Sequence, residues 1–177
     1  MPILVFDTET TGLIANSAIP LAKQPRLIEY YGALIHDDGT LHSELEFICN
    51  PGVAISDEIK RITGLSDTDT AGQPSFSHYA SAVQKQIEQA DGVVAHNLSY
   101  DMSIVDNEMQ RLGSSLVWPD RRVCTVEATQ HYKGFRLSLQ ALHEHLFGEG
   151  FPSAHRARHD VGALIRCWKE LVSRDDV

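Results

Sequence analysis

The sequence has few cysteines, no long apolar run and less positive than negative charge, and each shortage argues against a class of protein. The three cysteines, Cys49, Cys124 and Cys167, are widely spaced without a Cys-x-x-Cys pair, which favours reduced thiols over a secreted disulfide framework. No stretch approaches a membrane span and no signal peptide precedes the first strand, so we expect a soluble, cytoplasmic protein with no membrane partner. The net charge of −9 argues against a protein that coats nucleic acid without sequence preference.

What is present is enough for one folded domain. The 177 residues can bury a substantial core, and we see no repeats, linker or low-complexity tail. Apolar patterns alternate between strand and helix periods along the chain. We therefore predict a single α/β domain over residues 1–177.

The most informative stretch is Ile3–Leu13. Its first four residues are branched or aromatic and predict a strand buried on both faces, which leads into Asp7, Thr8 and Glu9. Because side chains alternate along a strand, the two acids point the same way and the threonine points to the other face. Two carboxylates beside an apolar core require either a proton or a cation between them, and Mg²⁺ and Mn²⁺ prefer such oxygen ligands. An acid-x-acid pattern arises by chance about three times in a chain of this composition, so the rest of the sequence must decide.

Further elements follow from periodicity and capping signals. Residues 14–26 and 66–75 are predicted loops, and residues 122–126 fit either a strand or the start of a helix. Strands are predicted at 28–36 and 41–48, around an Asp-Gly turn, and at 93–95. Helices are predicted between Ser56 and Gly64, at 76–90, after Asn97 or Ser99, between Ser138 and Gly148, and finally from Ala157 to Leu171. The helix after Asn97 or Ser99 has an apolar side formed by Leu98, Ile104, Val105, Met109 and Leu112.

Two of these helices carry an acid on the apolar side. Asp101 lies three residues from both Leu98 and Ile104, and Asp160 is next to a buried-type valine in the final helix. An acid in such a row is costly unless it is paired or bound to metal. His155 lies five residues before Asp160, so the two cannot aim at one point from the same helix, and we expect the histidine in the preceding loop as a mobile base beside a fixed ligand.

Three motifs now stand in order along the chain. They are Asp-Thr-Glu-Thr-Thr-Gly at 7–12, His-Asn-x-x-Tyr-Asp at 96–101 and His-x-Ala-x-x-Asp at 155–160. Together they resemble the motifs of the DEDDh 3′ to 5′ exonucleases, the group that contains the proofreading subunit of bacterial DNA polymerase III and ribonuclease T. The resemblance covers nearly the whole chain and implies a ribonuclease H-like fold, with a mixed central sheet flanked by helices. Tyr100 departs from the family, which often has Phe at this position.

The resemblance also implies roles for individual residues. The metal-binding acids fall on Asp7, Glu9, Asp101 and Asp160, and the general base falls on His155. Asp7 would bridge two Mg²⁺ or Mn²⁺ ions, Glu9 and Asp160 would hold the ion that carries the attacking water, and Asp101 would act on the second ion. The expected substrate-binding residues are Thr8, Thr10, Thr11, Gly12, Leu13, His96 and Asn97.

The function expected from this resemblance is a metal-dependent 3′ to 5′ exonuclease that releases nucleoside 5′-monophosphates, mainly from single-stranded DNA. An RNA-trimming enzyme remains open, because nothing in the sequence clearly reads the 2′-hydroxyl. A polymerase-associated accessory or proofreading module also remains open, as do a polymerase partner and a homo-oligomer. An endonuclease or integrase on the same scaffold fits less well, because it has no evident use for His155.

A basic rim around the site is a further possibility. Six cations could contact phosphates, or could equally be scattered over the surface: Arg121, Arg122, Lys133, Arg136, Arg156 and Arg158.

Overall fold

A five-stranded mixed sheet lies at the centre of the computed structural model, which describes residues 2–14, 19–152 and 155–177. The strands are β1 (Ile3–Thr10), β2 (Leu27–Ile35), β3 (Leu41–Ile48), β4 (Gly92–Ala95) and β5 (Arg121–Cys124), in the order β3-β2-β1-β4-β5. Strands β1 to β3 pair antiparallel, whereas β4 runs parallel to β1 and β5 runs parallel to β4. The predicted mixed sheet is confirmed.

Helices cover both faces of this sheet. They are α1 (Asp57–Thr63), α2 (Asp67–Thr70), α3 (Ala80–Glu88), α4 (Leu98–Arg111), α5 (Thr125–Ala128), α6 (Leu139–Phe147) and α7 (Ala157–Ser173), with short 3₁₀ turns at Leu21–Lys23, Phe76–His78 and Gln130–Tyr132. Alternation along β1 divides the core between them. Leu4 and Phe6 pack with residues of α3 and α4, whereas Ile3 and Val5 pack with residues of α7.

Most predicted boundaries are confirmed, and the capping signals explain why. The side chain of Ser56 accepts a hydrogen bond from the Ile59 N–H at the start of α1, and Ser138 does the same for the Ala141 N–H in α6. Both helices end at a glycine with positive φ, Gly64 at 71° and Gly148 at 73°. Residues 122–126, left open between strand and helix, contain the end of β5 and the start of α5.

Three expectations about the elements need correction. Residues 66–75 are not all loop, since Ser66 and Asp69 form a capping box that starts the four-residue helix α2. The helix expected over 76–90 begins as a 3₁₀ turn and becomes α-helical only at Ala80. Leu112, expected on the buried side of α4, is 45% exposed because the helix has ended at Arg111. Part of the predicted 14–26 loop, residues 15–18, lies outside the described residues, and so do 153 and 154.

The three cysteines carry free thiols, with Cys49 and Cys167 buried and Cys124 partly buried. No helix in the described part of the chain is both long enough and apolar enough to cross a bilayer.

Candidate active site

The three motifs meet in one open pocket of about 800 Å³ at the end of β1. Every predicted site residue lines it: Asp7, Thr8, Glu9, Thr10, Thr11, Gly12, Leu13, His96, Asn97, Asp101, His155 and Asp160. The parallel pairing of β1 with β4 brings the first two motifs together, because β4 ends at Ala95, directly before His96. Packing of α7 against the other face of β1 brings in the third motif.

The tightest group in the pocket contains Glu9, His155 and Asp160. Each offers one ligand atom, and these atoms lie within 4.8 Å of one another. Glu9 lies on β1, His155 lies in the segment before α7 and Asp160 lies on α7, so the fold brings the three residues together. In the described part of the chain this is the group that could hold a metal ion, and its carboxylate and imidazole donors suit a divalent cation.

Asp7 and Asp101 line the same pocket but lie outside that tight group. Asp101 is buried at 3% exposure, and its Oδ1 accepts hydrogen bonds from the backbone N–H and the hydroxyl of Thr8, at 3.1 and 2.7 Å. Thr8 therefore points away from Asp7 and Glu9, as strand alternation predicts, and uses that direction to hold the acid of α4. The structure thus gathers the four predicted acids in one pocket but brings only two of them, with His155, within mutual ligand distance.

Burial raises the pKa values of the four acids in the pocket, and repulsion between these acids raises those of Asp7 and Glu9 further. Burial, followed by repulsion from Asp101, Glu9 and Asp160, raises the pKa of Asp7 well above its usual value. Burial raises the pKa of Glu9 to about 8, with Asp160 next in importance. Burial also raises the pKa of Asp101 to about 7, although the hydrogen bonds from Thr8 oppose the change, and it raises the pKa of Asp160. Such a cluster of buried carboxylates is stable only when the groups are protonated or bind a cation, so the four acids fit a divalent metal site.

His155 lies in the segment before α7, as predicted. Its side chain is exposed, its backbone φ is 70°, and its N–H donates to Asp160 Oδ2 at 2.8 Å. A positive φ is uncommon for a residue with a Cβ and occurs mainly where surrounding contacts enforce it. The backbone bond to Asp160 is one such contact, and it fixes the histidine relative to a carboxylate of the same group.

Glu29 is a functional candidate that the sequence analysis missed. It is 1% exposed on β2, opposite Glu9 in the β1–β2 register, and its carboxylate accepts hydrogen bonds from the Arg156 side chain, the shortest at 2.7 Å. It also accepts one from the Ala157 N–H at 3.0 Å, at the first residue of α7. Glu29 therefore anchors the residue that follows His155. The available signal was a lone acid in an otherwise apolar or small-residue strand.

Tyr100 also gains a role in the structure. Its hydroxyl donates to the Gly12 carbonyl at 2.8 Å and lies 2.6 Å from Thr10 Oγ1, so it holds the turn that follows β1. Burial raises the pKa of Tyr100 to about 12, so the hydroxyl keeps its proton. Leu13, at the end of the same turn, is 86% exposed and free to meet a ligand.

His96 lines the pocket, but both of its ring nitrogens are used within the protein. Nε2 lies 3.0 Å from the Leu137 carbonyl and Nδ1 lies 3.0 Å from Thr125 Oγ1. A carbonyl can only accept, so Nε2 carries the proton and Nδ1 accepts from the threonine. Burial lowers the pKa of His96 to about 4, and the ring is therefore a neutral part of the pocket wall.

The six cations do not form one basic rim. Arg156 pairs with Glu29, and Arg158 pairs with Glu44 and Glu46. Arg122 donates to the carbonyls of Pro119 and Trp118. Arg136 donates to the side chain of Asn97, whereas Arg121 and Lys133 are exposed. Of the two readings left open for these cations, Arg156 and Arg158 do not fit the basic rim, because nearby acids of the sheet neutralise them.

The remaining pocket wall was not foreseen from the sequence. Part of it comes from α1 and the rest from the start of α6 and the loop before His155: Ser56, Glu58, Ile59, Ile62, Thr63, Ser138, Leu139, Gln140 and Phe151. These residues carry no motif, and only the folded chain brings them to the site.

Comparisons with known proteins agree with this geometry. A family model described as exonuclease (RNase_T) matches residues 4–167. A PolC-type DNA polymerase III of Staphylococcus aureus is 30% identical over 110 residues, which cover 62% of this chain and 7% of that protein. The structure of Escherichia coli exonuclease I in complex with a dT13 oligonucleotide is similar with a TM-score of 0.79 at 16% identity, covering 98% of this chain and 41% of that one.

A second solved structure is matched over nearly its full length. Exonuclease X in complex with 5′ overhanging duplex DNA is similar with a TM-score of 0.66 at 20% identity, covering 97% of this chain and 93% of that one. At these identities the two structures show that the fold is shared. The chain spans only a small part of the polymerase and less than half of exonuclease I.

Proposed function

The chain belongs to the RNase_T exonuclease family, the DEDD exonucleases, and from that premise we propose that it hydrolyses nucleic acid from the 3′ end and releases nucleoside 5′-monophosphates. The observation that carries the proposal is the convergence of Glu9, His155 and Asp160 within 4.8 Å, in a pocket that also holds Asp7 and Asp101. Carboxylates and a histidine around an open pocket suit phosphodiester hydrolysis.

The acids hold divalent cations, Mg²⁺ or Mn²⁺, in this proposal. Asp7 would serve both ions, Glu9 and Asp160 would hold one of them, and Asp101 would hold the other. Repulsion from Asp101, Glu9 and Asp160 adds to the effect of burial on the pKa of Asp7, which supports its place among these acids. When bound, such ions neutralise phosphate charge and make a water molecule more acidic. Asp101 is held in place by Thr8, so it needs no rearrangement to serve as a ligand.

His155 is the general base in this proposal. An imidazole can take a proton from water at neutral pH. Its ring reaches the point shared by Glu9 and Asp160, and the exposed segment that carries it lets the proton leave to solvent. The water oxygen forms a bond to phosphorus while its proton moves to an imidazole nitrogen, and the bond between phosphorus and the 3′ oxygen of the preceding nucleotide breaks. The leaving 3′ oxygen takes a proton from solvent.

Single-stranded DNA is the favoured substrate, and the turn from Thr10 to Leu13 is the proposed seat of the terminal nucleotide. Exonuclease I binds an oligothymidylate on a fold shared with this chain, which supports the assignment to DNA. RNA is the alternative substrate. A proofreading or repair role alongside a polymerase is a second candidate, favoured by the similarity to a PolC-type polymerase.

One assay tests these proposals together. Single-stranded DNA and RNA of the same sequence, each labelled at the 3′ or the 5′ end, are incubated with Mg²⁺, Mn²⁺ or EDTA. We expect immediate release of a labelled mononucleotide from 3′-labelled DNA, a ladder from 5′-labelled DNA, slower cleavage of RNA, and none with EDTA. Early release of the 5′ label, or cleavage of a circular strand, would contradict the proposal.

A further inference from the structure

Residues 133–136, which we call the 133–136 loop, lie at the edge of the pocket. The segment that follows is fastened to the pocket wall, since the His96 Nε2–H donates to the Leu137 carbonyl at 3.0 Å. Arg136 donates to Asn97 Oδ1 at 3.1 Å. Because His96 and Asn97 both line the pocket, the loop is held beside the place proposed for the terminal nucleotide.

The loop presents an aromatic ring between two cations. Phe135 is 60% exposed, and Lys133 and Arg136 are exposed on either side of it in sequence. Lys133 forms no ion pair with any residue in the described part of the chain, and the partner of Arg136 is a neutral amide. An exposed ring flanked by uncompensated positive charge is the combination that binds single-stranded nucleic acid, where bases stack and phosphates pair with cations.

The distribution of charge around the site favours binding of a nucleic-acid strand at this loop. Arg156 and Arg158 are neutralised by Glu29, Glu44 and Glu46, so that side of the pocket offers little net positive charge. The chain as a whole carries a net charge of −9 and repels a polyanion unless cations are placed locally. Arg136, which contacts Asn97 of the pocket wall, supplies such a local positive charge, and Lys133 adds a second one in the same loop.

We propose that the 133–136 loop binds the single strand immediately before its terminal nucleotide, with Phe135 stacked on a base and Lys133 and Arg136 against the adjoining phosphates. This inference rests on the proposed function, which brings a 3′ end into the pocket. Stacking accepts any base, so the loop contributes affinity for the strand without reading its sequence.

The test compares a substrate that reaches the loop with one that does not. A 15-nucleotide oligothymidylate and the p-nitrophenyl ester of thymidine 5′-monophosphate, which has no second nucleotide, are hydrolysed by the wild type and by Phe135→Leu, Phe135→Trp and Lys133→Ala. Lys85→Ala, an exposed change on α3, is the matched control for lost charge. Arg136 is left intact because its contact with Asn97 would confuse the result.

We expect Phe135→Leu to raise KM for the 15-mer about tenfold with little change in kcat, because a stacked base is lost. Phe135→Trp should keep the wild-type KM. Lys133→Ala should raise KM and reduce the slope of log KM against log salt by about 0.7, whereas Lys85→Ala should change neither. The p-nitrophenyl ester should show the same KM with the wild type and all four variants.

Equal KM values for the 15-mer in the wild type, Phe135→Leu and Lys133→Ala would overturn the inference while leaving the proposed function intact. If the wild type hydrolyses neither substrate, the proposed function fails. Binding of the labelled 15-mer, measured by fluorescence anisotropy, then tests whether the loop binds the strand. Weaker binding by the two variants then supports the loop as a strand-binding site, and equal binding overturns it.

Discussion

At the scale of single residues, the most specific prediction concerns His155, the proposed general base. Replacing it with alanine should lower kcat about 10²- to 10⁴-fold near pH 7, the usual contribution of a general base. Its side chain is exposed, so the melting temperature should change little. Steady-state hydrolysis of labelled DNA and a thermal melt give the two values.

The control for this change is His145→Ala, another exposed histidine, on α6. It should behave like the wild type in both measurements. If His155→Ala keeps near-full turnover at pH 8, another group is the base.

Tyr100 allows a milder test at the same scale. Tyr100→Phe removes the hydroxyl that meets Gly12 and Thr10 and keeps the ring, so the turn that follows β1 loses one anchor. We expect KM to rise a few-fold with kcat nearly unchanged, because the turn seats the substrate and carries no reacting group. An unchanged KM would mean that Thr10 alone holds the turn through its bond to the Gly12 carbonyl.

At the scale of elements, the start of α7 determines where His155 lies. Glu29→Gln keeps the size of the side chain but weakens its bonds to Arg156 and Ala157. We expect kcat to fall about 10- to 100-fold, since small misplacements of a catalytic group are costly. The loss of stability should be smaller than the ~3–5 kcal/mol typical of a broken buried pair, because Arg156 remains half exposed.

Glu46→Gln is the matched control, because Glu46 pairs with the neighbouring Arg158 at the exposed surface. An exposed pair contributes little, so activity and stability should both stay close to the wild type. The affinity for Mn²⁺ shows whether Glu29→Gln displaces His155 or damages the metal ligands. Glu29→Gln should bind Mn²⁺ with the affinity of the wild type. A wild-type kcat in Glu29→Gln would contradict the anchoring role.

The elements also show what a sequence can predict. Strands and helices with long apolar patterns or clear caps, such as β1 and α6, were predicted correctly because local chemistry determines them. The helix α2 was missed because four residues are too few to show a period. Glu29 was missed because its partner lies 127 residues away, and only the sheet brings the two together.

The same contrast holds for the site. Its acids and His155 were predicted because each breaks a local pattern or completes a motif. The wall formed by α1 and Phe151 was not, because ordinary surface residues acquire that position only through packing. The partner of the Tyr100 hydroxyl required the structure for the same reason.

At the scale of the whole molecule, the acidic pocket couples stability to pH and to metal. The pKa values of Glu9 and Asp101 are raised to about 8 and about 7, and those of Asp7 and Asp160 are raised as well. A carboxyl group whose pKa is higher in the folded than in the unfolded protein stabilises the folded state below its unfolded pKa of about 4 to 5. This contribution is lost as the pH rises through the pKa of the folded state. Without metal, the melting temperature should therefore fall between about pH 5 and 8.

A cation should reverse this loss, because it binds the ionised carboxylates and only the folded state gathers them. Melts with Mn²⁺ or EDTA at about pH 5.5 and pH 8 measure the effect, and the stabilisation by Mn²⁺ should be larger at the higher pH. An Asp7→Asn, Glu9→Gln double variant corrects for titration elsewhere in the chain. A metal-free melting temperature that rises with pH relative to that variant would contradict the account.

The central claim is that acids from distant parts of the chain form one cation site. Isothermal titration of Mn²⁺ into the metal-free protein at pH 7, repeated in two buffers of different ionisation enthalpy, tests it most directly. The account predicts saturable binding with release of protons, because raised carboxyl groups must ionise, and predicts loss of both in the Asp7→Asn, Glu9→Gln variant. Equal Mn²⁺ binding by the wild type and that variant, or binding without proton release, would contradict it.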